Sequence, residues 1–273
     1  MQQTPIGVFD SGYGGLTVLK EITKRLPQYD YIYLGDNARA PYGNRSYETV
    51  YHYTLQCVDW LFKQNCPLII VACNTASAKA LRTIQQNDLD KKFPGKKILG
   101  VIRPTTEVIG DHSKTNHVGI MATSGTVNSN SYAIEIEKFF PNATVFQQAC
   151  PMLVPLIENN EFENEAADYF IQKYINELLK QDDNIDTILL ACTHYPLIKK
   201  RIENFLPKDV TAIAQGEIVA SSLKGYLQRH AEIEQQLSKN KSIRFYTTDS
   251  AEDFNNHASI FYGEEVKSDH VEL

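Results

Sequence analysis

The chain has 273 residues, 42% of them apolar, and a formal net charge of −6. That length gives room for one large domain or two smaller ones, and the acidic balance argues against a nucleic-acid surface, which needs a concentrated basic patch. No stretch approaches the ~20 apolar residues that span a bilayer, and only Met1 to Pro5 precede the first expected strand, so the sequence reads as a soluble cytoplasmic protein with no membrane segment and no signal peptide.

Taken in chain order, residues 6–9 predict a strand, followed by the turn Asp10-Ser11-Gly12-Tyr13-Gly14-Gly15. A helix then carries Leu16, Leu19, Ile22 and Leu26 on one face until Pro27 ends it. Residues 31–34 predict a second strand. The segment 35–43 holds too many turn residues for regular structure and reads as a loop reaching over a site. A helix over 46–64, a buried strand over 67–72 and a helix over 77–86 follow, an alternation that implies a parallel sheet.

The pattern restarts at 97–102, with Pro104 at a first helical position. Strands are expected over 118–121 and 144–148 and up to Cys192, with helices over 127–139 and about 166–180. A strand over 211–213, a helix from 217 to about 228, a strand over 243–247 and a helix from Ala251 are expected to return to the first half. The stretch 230–241 has few core candidates and reads as a surface connector. The expected division is thus residues 1–97 together with 211–273 as one α/β domain, and residues 98–210 as the second.

One phrase occurs twice: Leu68-Ile69-Ile70-Val71-Ala72-Cys73-Asn74-Thr75 and Thr187-Ile188-Leu189-Leu190-Ala191-Cys192-Thr193-His194. A second echo precedes each copy, Ile6-Gly7-Val8-Phe9-Asp10-Ser11-Gly12 before the first and Val118-Gly119-Ile120-Met121-Ala122-Thr123-Ser124-Gly125 before the second. The chain therefore reads as two similar α/β domains with mostly parallel sheets, related by an approximate twofold, with a site in the cleft between them.

Five cysteines is an odd number, and none forms a C-x-x-C pair, so free thiols are expected. A thiol at the start of a helix has its pKa lowered by the helix dipole and exposed amides. Cys73 and Cys192 both occupy such places. A single cysteine there reads as a small apolar filler; a matched pair flanked by Asn74-Thr75 and Thr193-His194 reads as chemistry. Cys57, Cys66 and Cys150 have no polar partner in the sequence and read as ordinary packing residues.

Ligands of open α/β sheets collect outside the carboxyl ends of the strands. That rule brings Asp10 and Ser11, Asn74 and Thr75, Thr123 and Ser124, and Thr193 and His194 to one cleft with the two thiols. Hydroxyls and helix-start amides suit a carboxylate-bearing ligand. Asp10 and His194 could move protons to and from the thiols, although Asp10 could instead cap a helix and His194 could be structural. Gly12-x-Gly14-Gly15 is not a dinucleotide fingerprint, because Thr17 stands where the third glycine belongs. Two cysteines and a histidine could bind zinc, yet their separate loops lack the close spacing of such sites, and no metal is expected.

Phe9-Asp10-Ser11-Gly12 with Gly14-Gly15-Leu16, Gly35-Asp36 with Pro41-Tyr42-Gly43, Ala72-Cys73-Asn74-Thr75-Ala76, Ala122-Thr123 with Gly125-Thr126-Val127, Cys150-Pro151 with Val154-Pro155-Leu156, and Ala191-Cys192-Thr193-His194-Tyr195-Pro196-Leu197 together resemble the glutamate racemase family in order and spacing, from Ile6 to about Gly216. The resemblance implies a cofactor-independent, homodimeric enzyme that interconverts L- and D-glutamate, the D-enantiomer serving bacterial peptidoglycan. It implies that Cys73 and Cys192 face the α-carbon from opposite sides as the acid/base pair, that Asp10 assists Cys73, and that His194 assists Cys192. It further implies that Asp10, Ser11, Tyr42, Gly43, Asn74, Thr75, Thr193 and His194 line the substrate pocket, with Thr123, Ser124 and Thr126 as secondary contacts. Two departures stand out. Tyr13 replaces a smaller residue, and Arg103-Pro104-Thr105 replaces a common Glu-Pro-Gly.

Three other readings share these residues. An aspartate racemase would use the same two thiols. A cysteine hydrolase or lyase would use Cys192 as nucleophile and His194 as base, leaving Cys73 without a role. A non-catalytic amino-acid-binding protein would bind in the same cleft without turnover.

Overall fold

In the computed structural model, which describes residues 4–273, the strands form two all-parallel sheets. In the first, β1 (Ile6–Asp10), β2 (Tyr31–Gly35), β3 (Leu68–Val71) and β4 (Lys97–Gly100) lie in the order β2-β1-β3-β4. In the second, β5 (His117–Ala122), β6 (Thr144–Ala149), β7 (Thr187–Ala191) and β8 (Thr211–Ala214) repeat that order as β6-β5-β7-β8. The doubled phrase thus becomes doubled topology, because β1 and β3 carry the same places in the first sheet that β5 and β7 carry in the second. β9 (Ile243–Thr247) and β10 (Ser268–His270) extend the first sheet alone, through pairing of β9 with β2.

Two strands at the expected boundary pair otherwise than the sequence suggests. The segment beginning at Lys97, read as the start of the second half, is the edge strand of the first sheet, in register with β3 through Leu68–Lys97 and Ile70–Leu99. The strand at Thr211, expected to return to the first half, pairs with β7 through Thr187–Thr211 and Leu189–Ile213. Each is joined to its sheet by a crossover helix, so its partner is remote in sequence and no local pattern marks it. The chain recrosses after β8, at the helix Gly216–Arg229, which packs on the helix Gly15–Arg25.

The central strands are apolar on both faces, as parallel strands covered by helices on each side must be. Along β1 to β3, alternate residues point into different cores: Val8, Tyr33 and Ile70 into one that runs on into the second sheet through Leu190, and Phe9, Ile32 and Ile69 into another. Helix ends follow local chemistry. Ser46 accepts from the Thr49 amide at 3.1 Å to open Tyr47–Lys63, and Asn164 accepts from the Ala167 amide at 3.1 Å to open Glu165–Leu179. The helix expected over 127–139 is instead two, Ser124–Ser129 and Ser131–Phe139, because Asn130 takes a left-handed conformation with φ of 55°. Asparagine tolerates that conformation better than most residues. Among the described residues, no helix is long and apolar enough to cross a membrane.

Asp30 shows how the late strands are held. Its buried carboxylate accepts from the Asn240 and Ser242 amides at 3.0 and 2.9 Å and from the Ser242 hydroxyl at 2.8 Å, fixing the entry to β9. Burial opposes ionisation, but these donors and Ser238 outweigh it and lower the carboxyl from its ordinary 3.8 to about 2. Because the folded value lies below the unfolded one, the stabilisation is complete above about pH 4 and is lost as pH falls from there toward 2. Asp30→Ala is expected to lower stability by about 1–2 kcal/mol at neutral pH, allowing for solvent screening near the group. The loss should shrink below pH 4 in denaturant titrations.

Candidate active site

The two repeated cysteines sit just beyond their strands, Cys73 two residues after β3 and Cys192 one residue after β7, each only 5% exposed. Both open into one cleft of about 120 Å³. This is much smaller than the roughly 300–1,000 Å³ of drug-sized pockets and suits a small ligand. Loops from both sheets close over it. Tyr42 and Gly43 come from the first half and Thr123 and Ser124 from the second, and the Gly125 amide donates to the Gly43 carbonyl at 2.7 Å across the gap. Thr75 and Thr123 join their hydroxyls at 2.9 Å over the same gap.

Each thiol has its own partners. Cys73 caps the helical segment that follows it, its sulfur accepting from the Ala76 amide at 3.4 Å, and Ser11 Oγ lies 3.4 Å from the same sulfur. Beyond that cap the backbone widens into a π turn over Ser77–Leu81, a form found often beside functional sites. Cys192 Sγ lies 3.9 Å from His194 Nδ1, and His194 Nε2 is 2.9 Å from Glu158 Oε1. Thr193 donates to Asp10 Oδ1 at 3.3 Å, joining the second cysteine loop to the aspartate of the first half. Close approach makes this crossing possible. A Cβ on Gly14 would collide with Thr193 Oγ1 and lie 2.5 Å from His194 Nδ1, so the turn can pass the Cys192 loop only as glycine.

The sequence model of the Asp/Glu/Hydantoin racemase family matches residues 6–222. The chain belongs to that racemase family. A glutamate racemase from Sulfurihydrogenibium sp. is 36% identical over 98% of this chain and 97% of its own. The crystal structure of a glutamate racemase isoform from Bacillus anthracis superposes with a TM-score of 0.90 at 34% identity, covering 100% of this chain and 99% of that one. One from Francisella tularensis, solved in complex with D-glutamate, gives 0.87 at 34% identity, covering 100% and 98%. As a racemase, the chain is an isomerase.

Within this racemase the expected site residues fall into two layers. Ser11, Tyr42, Gly43, Asn74, Thr75, Thr123, Ser124, Thr193 and His194 line the cleft with the two cysteines. Asp10 and Thr126 stand behind it. Asp10 is fully buried and is held by the Gly12 amide and the Thr193 hydroxyl, and Thr126 bonds to the Thr123 hydroxyl at 3.1 Å. The cleft lining also includes residues to which the sequence assigned no role, among them Glu158 and Cys150. Glu158 ends the helix Leu153–Glu158 and meets His194 across thirty-six residues, and Cys150, read as ordinary packing, lies on the cleft wall. The sequence held one signal for Glu158, its place just after the quoted Val154-Pro155-Leu156.

The departures sit outside the thiol pair. Tyr13 packs against His257 and Phe261 of the closing helix, with centroids 5.2 and 5.8 Å away, and Phe261 in turn meets the His194 ring edge-on at 5.3 Å. Arg103 is exposed at the crossing from the first sheet to the second, paired with Glu107 at 2.9 Å.

The two thiols of the racemase stand in unlike electrostatic surroundings. Contrary to the lowering expected of a thiol at a helix start, burial, then the neighbouring Asp10, pushes the Cys73 thiol up to about 12 against the opposing Ser11 and Ala76 donors. Asp10 itself is raised by burial, against the His194 charge and the Gly15 and Gly12 amides. For His194, burial disfavours the charged ring, but hydrogen bonding to Cys192 and Glu158 outweighs it and raises the imidazole to about 10. At neutral pH Cys73 therefore carries its proton and His194 is a cation beside Cys192.

Proposed function

We propose that this protein interconverts L- and D-glutamate with its two thiols, without a cofactor, and so supplies D-glutamate for cell-wall peptidoglycan. The observation that supports this most is the placement of Cys73 and Cys192 at equivalent strand ends of the two sheets, both opening on one small cleft. One sulfur takes the α-proton while the other delivers a proton to the opposite face, and the reverse reaction exchanges the roles. In this reading Cys73, protonated at rest, is the donor in one direction, and Asp10 receives its proton when Cys73 must act as base. His194, held as a cation by Glu158, offsets negative charge as it develops on Cys192 and returns a proton there.

An α-proton beside a carboxylate is a very weak acid, so fixed donors must stabilise the carbanion as it forms. Asn74, Thr75, Ser11 and Thr193 are the candidates for that role, with Tyr42, Gly43, Thr123 and Ser124 closing the far side and Thr126 bracing Thr123. We read the two lobes as the first sheet with its helices and the second sheet with its own, and the enzyme as a cytoplasmic homodimer by its resemblance to the family.

Incubated in heavy water with either glutamate enantiomer and no added cofactor, the purified protein is expected to racemise it with deuterium entering at the α-carbon. Proton NMR and chiral chromatography follow both events. Undeuterated glutamate of unchanged handedness would overturn the proposal, and faster exchange of aspartate would transfer it to that substrate.

A further inference from the structure

Behind the cleft a chain of buried polar side chains crosses between the lobes. Asn74, next to Cys73, accepts at Oδ1 from the Tyr132 hydroxyl on the helix Ser131–Phe139 of the second lobe. That hydroxyl accepts from Gln215 Nε2 at 2.6 Å, and the same Nε2 reaches Thr105 Oγ1 at 2.9 Å. Thr105 donates onward to the Val101 carbonyl at 2.9 Å. Tyr132 and Thr105 are fully buried, Asn74 is 3% exposed and Gln215 4%. The chain touches both places where the backbone passes between lobes: 101–105 after β4, and Gln215 after β8.

The directions follow from the Gln215 amide nitrogen, which also lies 3.4 Å from the Val101 carbonyl, a group that can only accept. The Gln215 Nε2 group has only hydrogens to offer, so the Tyr132 oxygen must accept there and spend its single hydrogen on Asn74. Burial raises the Tyr132 phenol above its ordinary range, which keeps that hydrogen in place. Asn74 must then turn Oδ1 toward Tyr132. Its Nδ2 is left buried with no partner in a residue that lines the cleft. A buried donor without a partner is uncommon, and this one stands beside the Cys73 loop.

We propose that Tyr132 and Gln215 are positioning residues that hold the Asn74 amide with its N–H donors, not its carbonyl, toward the substrate. The ligand group this selects is an acceptor, a carboxylate oxygen of the amino acid, on which charge grows as the α-proton leaves. The inference rests on the glutamate reading above.

The test is a double-mutant cycle on the full chain with Tyr132→Phe, Gln215→Met and Asn74→Ala, followed by racemisation kinetics and thermal unfolding. Tyr132→Phe keeps the ring that fills the core and removes only the hydroxyl. It is expected to lower kcat/KM about tenfold, with most of the loss in kcat because the interaction strengthens in the transition state. Introduced into Asn74→Ala, the same substitution should have almost no further effect, since the amide it orients is gone. Gln215→Met should behave likewise. A purely structural role would lower the melting temperature and reduce activity by the same factor in either background, and that additivity overturns the inference, as does an unchanged Tyr132→Phe enzyme. Absence of turnover in the unsubstituted chain removes the glutamate reading and this inference with it, so the two failures are told apart.

Discussion

Cys73→Ser and Cys192→Ser are each expected to abolish racemisation, with a loss of at least about 10³-fold, while the melting temperature moves by only a few degrees. Serine fits the space of either thiol, but its hydroxyl ionises far less readily, and positioned acid–base groups contribute about 10²–10⁴-fold each. The informative variants are the alanines. With one thiol left, the α-proton can leave and return only on that thiol's face, giving solvent exchange without inversion. Cys73→Ala and Cys192→Ala should therefore each label one enantiomer, and opposite ones, when deuterium uptake and handedness are followed together. A variant that racemises at the unsubstituted rate, or a pair that labels the same enantiomer, would remove the two-sided mechanism.

The second large effect is expected at His194. His194→Asn removes the cation 3.9 Å from Cys192 Sγ and should lower kcat/KM by about 10²–10⁴-fold. Mirror-image solutes have equal free energies in water, so kcat/KM must remain the same in both directions for every variant. The lesion can appear as asymmetry only in kcat and KM separately, and should fall unequally on L- and D-glutamate because only one direction begins with Cys192 as base. His194 must also stay protonated, so activity is expected to decline as pH rises through about 10. Replacing Glu158 with glutamine removes the negative charge that helps hold the imidazole up, which shifts this alkaline limb to lower pH. A limb unmoved in Glu158→Gln would show that another group sets it.

Much of this is legible in the sequence. The central strands announced themselves because both faces are buried and the runs are therefore almost purely apolar, and the doubled phrase anticipated the doubled strand order. What stayed hidden depends on partners remote in the chain. β4 and β8 look like strands, but nothing within them says which sheet receives them. β10 has only Ser268, Asp269 and His270 at a sheet edge, with no apolar alternation to betray it. Asn130 breaks a helix that reads as continuous, because one backbone angle matters more there than the apolar spacing around it. At the site, the residues beside each cysteine are visible in the sequence, whereas Glu158 and Tyr132 reach His194 and Asn74 through contacts made only by folding.

The strand order shared by the two sheets has a geometrical consequence for handedness. Two copies of a fold built from L-amino acids can be related by a rotation, never by a reflection, whereas the two substrates of a racemase are related by reflection alone. The operation that carries the Cys73 loop onto the Cys192 loop would carry a bound L-amino acid onto another L-amino acid, turned end for end, and not onto its D-form. Even a perfectly duplicated scaffold would thus present unlike faces to the two enantiomers. Ser11 and Asp10 on one side, with His194 and Glu158 on the other, are differences that such a duplication was always free to acquire.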